Sequence, residues 1–396
     1  MKRYVPLLLA AVLLLGALPP ASATSMQVPV PVVGVQQTLA SQPELNISAK
    51  SALLMEPETG TVLYQHNAHT PMEPASVTKV MTMLLIMEAL ESGQATLEDM
   101  VSVSINAMNH GGSQVYLKEG ERFPLHDMLK AIAVVSANDA CIAVAEHLYG
   151  SEATFVAKMN EKAAALGMKS TLFANSTGLP ASGHLTTAYD IALMSQALLK
   201  HKNIFDYTSI WMDSFREGTF GLNNTNKLIR FYEGATGLKT GFTNNAMYCL
   251  SATARRENMN LVAVVLGAPS SDERFDDAKA LLNYGFSGYA LMDLYPSQAI
   301  PPVSVVLGEQ DTVQPVPPAD SVPLLIEKSK RNSLAATVEL APDLQAPVEA
   351  GQRLGSLIVT LDGQPFASLP LVADQSVARL GFGGVFRRFL QTMFMA

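Results

Sequence analysis

Residues 74–79, Pro74-Ala75-Ser76-Val77-Thr78-Lys79, open a long apolar run in which Val80, Met83, Leu84, Met87 and Leu90 recur at helical spacing. Pro74 and Ser76 mark the helix start, which puts Ser76 in the first turn of a helix that runs into a core. Ser76 and Lys79 stand three residues apart, so their side chains share one face. Burial among apolar neighbours disfavours a charged amine, and a neutral lysine can take the proton of a serine hydroxyl. Backbone N–H groups at a helix start can also stabilise a developing oxyanion. Ser76 is therefore a candidate nucleophile and Lys79 its candidate base. Ser-x-x-Lys also occurs at ordinary surface helix starts, so the reading depends on what else the chain carries.

Working outward, residues 49–55 and 61–65 read as two strands, and Glu56-Pro57-Glu58-Thr59-Gly60 between them closes a hairpin. Residues 97–117 read as loop, with His110 in an exposed Gly-rich turn. Helical spacing covers residues 125–135, 137–149 and 152–166, and Thr187 with Asp190 looks like a capping box that gives Asp190 a structural role. Residues 238–241, 246–254 and 260–266 read as strands, and 275–284 as a closing helix. Hairpin, helices, strands and a last helix predict an α/β sandwich with a mostly antiparallel sheet. Beyond about Tyr289, prolines punctuate Val-rich segments and helix signals stop, which predicts a second, smaller all-β domain.

With 396 residues, 48% hydrophobic and 16% charged, the chain has material for two domains with a large core. Its formal charge of −8 points away from nucleic acid as a partner. Residues 1–23 have a basic start at Lys2 and Arg3, an apolar stretch and Ala21-Ser22-Ala23, which reads as a secretory signal peptide. The mature chain is expected outside the cytoplasm, beginning with a flexible lead-in at residues 24–45. Cys141 and Cys249 lie among apolar residues and are expected to be buried free thiols. His66 and His69 have no glutamate between them, so no metal site is expected, and nothing calls for a cofactor. At the other end, residues 378–396 form an amphipathic segment. Phe382, Phe386, Phe389, Leu390 and Met393 share one side of a helix, with Arg387 and Arg388 off that side. This suits a helix lying on an anionic membrane surface, since it is too short and too charged to span one.

Two further stretches decide the Ser76 reading. Ser136-Ala137-Asn138 separates two helical segments, and Lys239-Thr240-Gly241 sits on a strand beside small residues. In this order and at these separations the three motifs are those of penicillin-binding proteins and serine β-lactamases. The chain resembles the D-alanyl-D-alanine carboxypeptidases, the low-molecular-mass penicillin-binding proteins. Pro74-Ala75-Ser76, Ser136-Ala137-Asn138-Asp139-Ala140, residues 175–179 and Lys239-Thr240-Gly241-Phe242-Thr243 carry the resemblance. It runs from about Ile47 to Tyr289 and extends to the leader, the small β domain and the amphipathic tail.

The resemblance implies a penicilloyl-serine transferase fold, with a catalytic domain at residues 46–290, a small β domain at 291–377 and the tail beyond. Ser76 would attack the carbonyl between the two terminal D-alanines of a peptidoglycan stem peptide, and β-lactams would acylate it. Lys79 would be the base, Ser136 would carry a proton to the departing amine, and Asn138 would hold the substrate amide. Backbone N–H groups of Ser76 and Phe242 would form the oxyanion hole. Lys239 would attract the terminal carboxylate and lower the Lys79 pKa by repulsion, with Thr240, Gly241, Thr243 and Arg274 completing the carboxylate site. Ala137 stands where many relatives have glycine, and Thr225 where some carry an arginine. The resemblance also implies a place at the outer face of a bacterial cytoplasmic membrane. A β-lactamase would need a deacylating Glu-x-x-Leu-Asn after the middle motif, which Glu161-Lys162-Ala163-Ala164 does not supply. A non-catalytic wall-binding scaffold would not need all six polar motif residues.

Overall fold

Helix α1, Lys79–Glu91, runs through the middle of the molecule and is buried on all sides over most of its length. In this computed structural model the described residues are 44–292, 299–319, 321 and 323–395. The expected leader and nearly all of the lead-in lie outside them. The hairpin is present as β1, Ser51–Glu56, and β2, Thr61–His66. After α1 the chain makes β3, Met100–Ser102, α2, Ile105–Met108, and β4, Arg122–Pro124. Residues 97–117 are therefore not all loop as expected: β3 pairs with β4, a contact between segments too short to show a period in sequence.

Helices α3, Leu125–Val135, α4, Asn138–Tyr149, and α5, Glu152–Ala165, follow almost at the expected bounds, and α6, Ala188–Leu199, begins after the expected cap. Thr187 caps α6 by accepting from the Asp190 N–H. The Asp190 carboxylate, however, accepts from Ser170 N and Thr171 Oγ1 rather than completing a box, so it ties a loop to the helix. Short elements α7, Phe205–Thr208, β5, Met212–Phe215, β6, Phe220–Asn223, and α8, Leu228–Phe231, lead to the long strands β7, Ala235–Thr243, β8, Met247–Arg256, and β9, Met259–Ala268. Helix α9, Ser271–Gly288, closes this part.

The sheet order is β2-β1-β9-β8-β7, antiparallel throughout, with β7 at an edge. Central β9 is buried at every residue. Val262, Val264 and Leu266 face α1 and the other helices, while Leu261, Ala263 and Val265 face α9. Both faces are covered, which is why this strand reads as a continuous apolar run.

After α9 comes β10, Tyr289–Met292, paired with Leu324–Glu327. The segments beyond form a four-stranded and a three-stranded sheet around Val303, Val305, Val313 and Leu354. Among the described residues the expected all-β character holds, with one short 3-10 turn at Lys328–Ser333. The chain ends in α10, Phe382–Met395. Among the described residues no helix is long and apolar enough to cross a membrane.

Candidate active site

Ser76 lies in a 3-10 turn, Ala75–Thr78, that runs straight into α1, so Lys79 begins the helix one turn after the hydroxyl. Lys79 Nζ is 3.0 Å from Ser76 Oγ, 2.6 Å from Asn138 Oδ1 and 2.7 Å from the Thr177 carbonyl. The last two atoms can only accept. A neutral amine therefore spends both of its N–H groups on them and aims its lone pair at the Ser76 hydroxyl proton. Lys79 is fully buried, and that burial lowers its pKa to about 8. Ser76 is only half-buried, so a substrate can reach it.

Each partner of Lys79 is itself held. Asn138 begins α4, donates its Nδ2 to Gly111 O at 2.7 Å and gives its backbone N–H to Ser113 O. Next to it, buried Asp139 accepts from Val115 N and Leu117 N, which fixes the loop at residues 111–117. Asn138 thus positions Lys79 through Oδ1, while Nδ2 keeps a second hydrogen beyond the one given to Gly111 O. Thr177 lies in a loop folded around Asn175, whose Oδ1 accepts from Gly178 N at 2.7 Å. Thr82 Oγ1 donates to Ser176 O, and Glu152 accepts from Ser176 N. The resemblance marked residues 175–179, but sequence reasoning missed this carbonyl, because a backbone oxygen leaves no trace in residue type.

Ser136 caps the end of α3 in the left-handed region, at φ 66°. Its buried Oγ has no hydrogen-bond partner among the described residues. Strain and an unpaired polar atom together are unusual in a core and common at a working site.

Strand β7 forms the other wall. Lys239 and Thr240 are buried, and Lys239 Nζ donates to Thr240 O at 2.9 Å. Its pKa lies well below the ordinary lysine value, first through burial and second through the charge of Lys79. The expectation had the repulsion lowering Lys79. Burial is the larger cause for both lysines, and the repulsion between them adds to it. Thr240 Oγ1 donates to Thr225 Oγ1 at 2.7 Å, which brings the position where some relatives carry arginine into the same wall. At Gly241 a Cβ would stand 3.0 Å from Ser76 N and 2.9 Å from Pro74 O, so the strand backbone presses directly on the serine turn. Phe242 is 49% exposed and stacks on Tyr248, with ring centroids 4.5 Å apart. Thr243 Oγ1 accepts from Ala246 N and so holds the turn into β8.

Arg274, on α9, is only 6% exposed. Its Nη1 donates to Gly241 O and Cys249 O, its Nη2 to Ser271 Oγ, and its Nε has no partner among the described residues. The guanidinium is thus attached to the strand that carries the site. Burial lowers its pKa to about 10, which leaves it charged at neutral pH. Cys141 and Cys249 are buried and free, as expected, and burial raises the Cys141 thiol to about 12. His110, expected in an exposed turn, is half-buried, with its Nε2 3.5 Å from Thr177 Oγ1.

A reachable hydroxyl beside a buried amine, walled by an edge strand that carries a second lysine, is the arrangement of a serine enzyme of acyl transfer. The family model of D-alanyl-D-alanine carboxypeptidases matches residues 36–270, and that of the penicillin-binding protein 5 C-terminal domain matches residues 292–379. The chain is 41% identical to the D-alanyl-D-alanine carboxypeptidase DacF of Bacillus subtilis over 96% of each chain. Among solved structures, penicillin-binding protein 5 from Haemophilus influenzae aligns with a TM-score of 0.73 at 30% identity, covering 86% of this chain and 100% of its own. Penicillin-binding protein D2 from Listeria monocytogenes, solved in an ampicillin-bound form, aligns at 0.57 and 32% identity over 62% of this chain and all of its own. The chain belongs to the D-alanyl-D-alanine carboxypeptidase family and is a serine-type enzyme of that class.

Proposed function

We propose that the site removes the terminal D-alanine from peptidoglycan stem pentapeptides through an acyl-enzyme on Ser76. The observation that carries this is Lys79 Nζ, 3.0 Å from Ser76 Oγ with its remaining donors taken by Asn138 and Thr177. Ser76 Oγ attacks the carbonyl between the two D-alanines and its proton passes to Lys79. Backbone N–H groups of Ser76 and Phe242 receive the oxyanion, and the C–N bond breaks as Ser136 Oγ relays a proton to the departing amine. Water then hydrolyses the ester. Lys239, Thr240, Thr243 and Arg274 supply positive charge and hydroxyls for the substrate's terminal carboxylate, and a β-lactam enters as a mimic of that terminus. Incubated with a pentapeptide ending in D-Ala-D-Ala, the enzyme should release one D-alanine per peptide. Cleavage elsewhere in the peptide, or none, overturns this reading.

The division into a catalytic domain at residues 46–290, a spacer at 291–377 and a tail belongs to the same proposal, as does a place at the outer membrane face. Phe382 is 90% exposed and Phe394 83%, with Phe386, Phe389 and Met393 also exposed along α10. Such a face buries apolar area at a headgroup boundary, and Arg379 and Arg387 add roughly 1 kcal/mol each toward anionic lipid. Arg388 pairs with Asp311, which ties the helix to the β domain. Deleting residues 379–396 should move the protein from the membrane to the soluble fraction and leave pentapeptide hydrolysis unchanged. Continued sedimentation with membranes, or lost activity on this small substrate, would show that the tail is part of the fold.

A further inference from the structure

The peptide group joining Ala75 to Ser76 is enclosed on several sides. Ala75 stands in the left-handed region, at φ 47°, although it is not glycine. A Cβ on Gly178 would lie 1.9 Å from Ala75 O, and one on Gly241 would lie 3.0 Å from Ser76 N, so two glycine backbones sandwich this peptide. Its carbonyl is tied as well: Thr78 Oγ1 donates to Ala75 O at 2.9 Å. Thr78 Oγ1 is in turn 2.8 Å from His184 Nε2, and His184 Nδ1 accepts from Ala174 N at 3.1 Å.

These contacts set every proton. Because Nδ1 accepts, Nε2 carries the hydrogen and donates to Thr78, whose own hydrogen must then go to Ala75 O. Burial lowers the His184 pKa to about 4, which keeps the ring neutral while the enzyme works. A trans peptide is planar, with its C=O and N–H pointing opposite ways. Pinning Ala75 O on Thr78 therefore turns Ser76 N–H the opposite way, away from Thr78 and His184.

We infer that Thr78 and His184 are positioning residues of the oxyanion hole, holding the Ala75–Ser76 peptide so that the Ser76 N–H faces the reacting carbonyl. Neither touches substrate. The inference rests on the proposed role of Ser76.

The test uses full-length protein and two probes, a labelled penicillin and a peptide boronic acid with boron in place of the scissile carbonyl carbon. Thr78→Val keeps the side-chain shape and removes the donor, and Thr78→Ser restores it. Thr78→Val should lower the acylation rate and the boronate affinity together, by roughly 10- to 100-fold, with KM changed little and the acidic limb of the pH profile unmoved. Thr78→Ser should recover most of both. His184→Phe should show a smaller loss of the same kind, and it carries the test should Thr78→Val not fold. A folded Thr78→Val or His184→Phe protein with wild-type acylation and boronate affinity overturns the inference. So does a variant whose only change is a shifted acidic limb, because the residues would then act on Lys79. Peptide mapping of the wild-type adduct separates the two levels: label away from Ser76 defeats the site reading itself, and label on Ser76 leaves the variants to decide the positioning role.

Discussion

Ser76→Ala is expected to abolish covalent labelling by penicillin and to lower pentapeptide hydrolysis by roughly 10⁶-fold. The size follows from the chemistry, since without Oγ there is no acyl-enzyme, and the other groups of the site can only assist an attack by water. Folding should survive. Ser76 is half-buried, and its hydroxyl has Lys79 as its hydrogen-bond partner. Lys79 keeps Asn138 and Thr177 in the variant. Intact-protein mass spectrometry decides the matter: an adduct on the Ser76→Ala variant, or its absence from wild type, removes Ser76 from the mechanism.

Lys79→Arg is expected to cost roughly 10²- to 10⁴-fold in acylation, because a guanidinium stays protonated and cannot act as a base. The wild-type pH profile carries the same information. With the Lys79 pKa lowered to about 8 by burial, the protonated, inactive form dominates below that value. Acylation should therefore rise about tenfold per pH unit up to about pH 8 and then flatten. The sign matters, since a group needed in its charged form would give the opposite slope. An acidic limb near the ordinary lysine value of about 10.4 would mean that the amine is not desolvated during the reaction. An arginine variant that keeps most of its rate would exclude Lys79 as the proton acceptor.

The order of elements and the three motifs could be read from the chain because both depend on local information. Helical period over residues 125–135 and 152–165 survives into the structure, and so does the apolar run of β9. Side chains three apart on a helix start must share a face, so the meeting of Ser76 and Lys79 was already implied by spacing. The segment between α6 and β7 gave no such signal. Its elements α7, β5, β6 and α8 are four residues each, too short for a period, and they form by packing on α3 and β7.

Roles that depend on partners distant in sequence were decided by the tertiary structure. Asn138 is 59 residues from Lys79, and only the packing of α4 beside α1 turns its amide toward the amine. The lowered Lys79 pKa belongs partly to both levels: apolar neighbours in sequence foretold burial, but the approach of Lys239 depends on where β7 packs. Thr177 contributes a carbonyl, which any residue could supply, and His184 reaches Thr78 across 106 residues of chain. Sequence therefore determined the fold class and marked the candidate nucleophile, its candidate base and the second lysine, because periodicity, short-range spacing and the three motifs encode them. The tertiary structure alone decided how the amine is held and which groups tie the Ala75 carbonyl beside Ser76. Those depend on hydrogen bonds between loops, and no pattern within either loop records its partner.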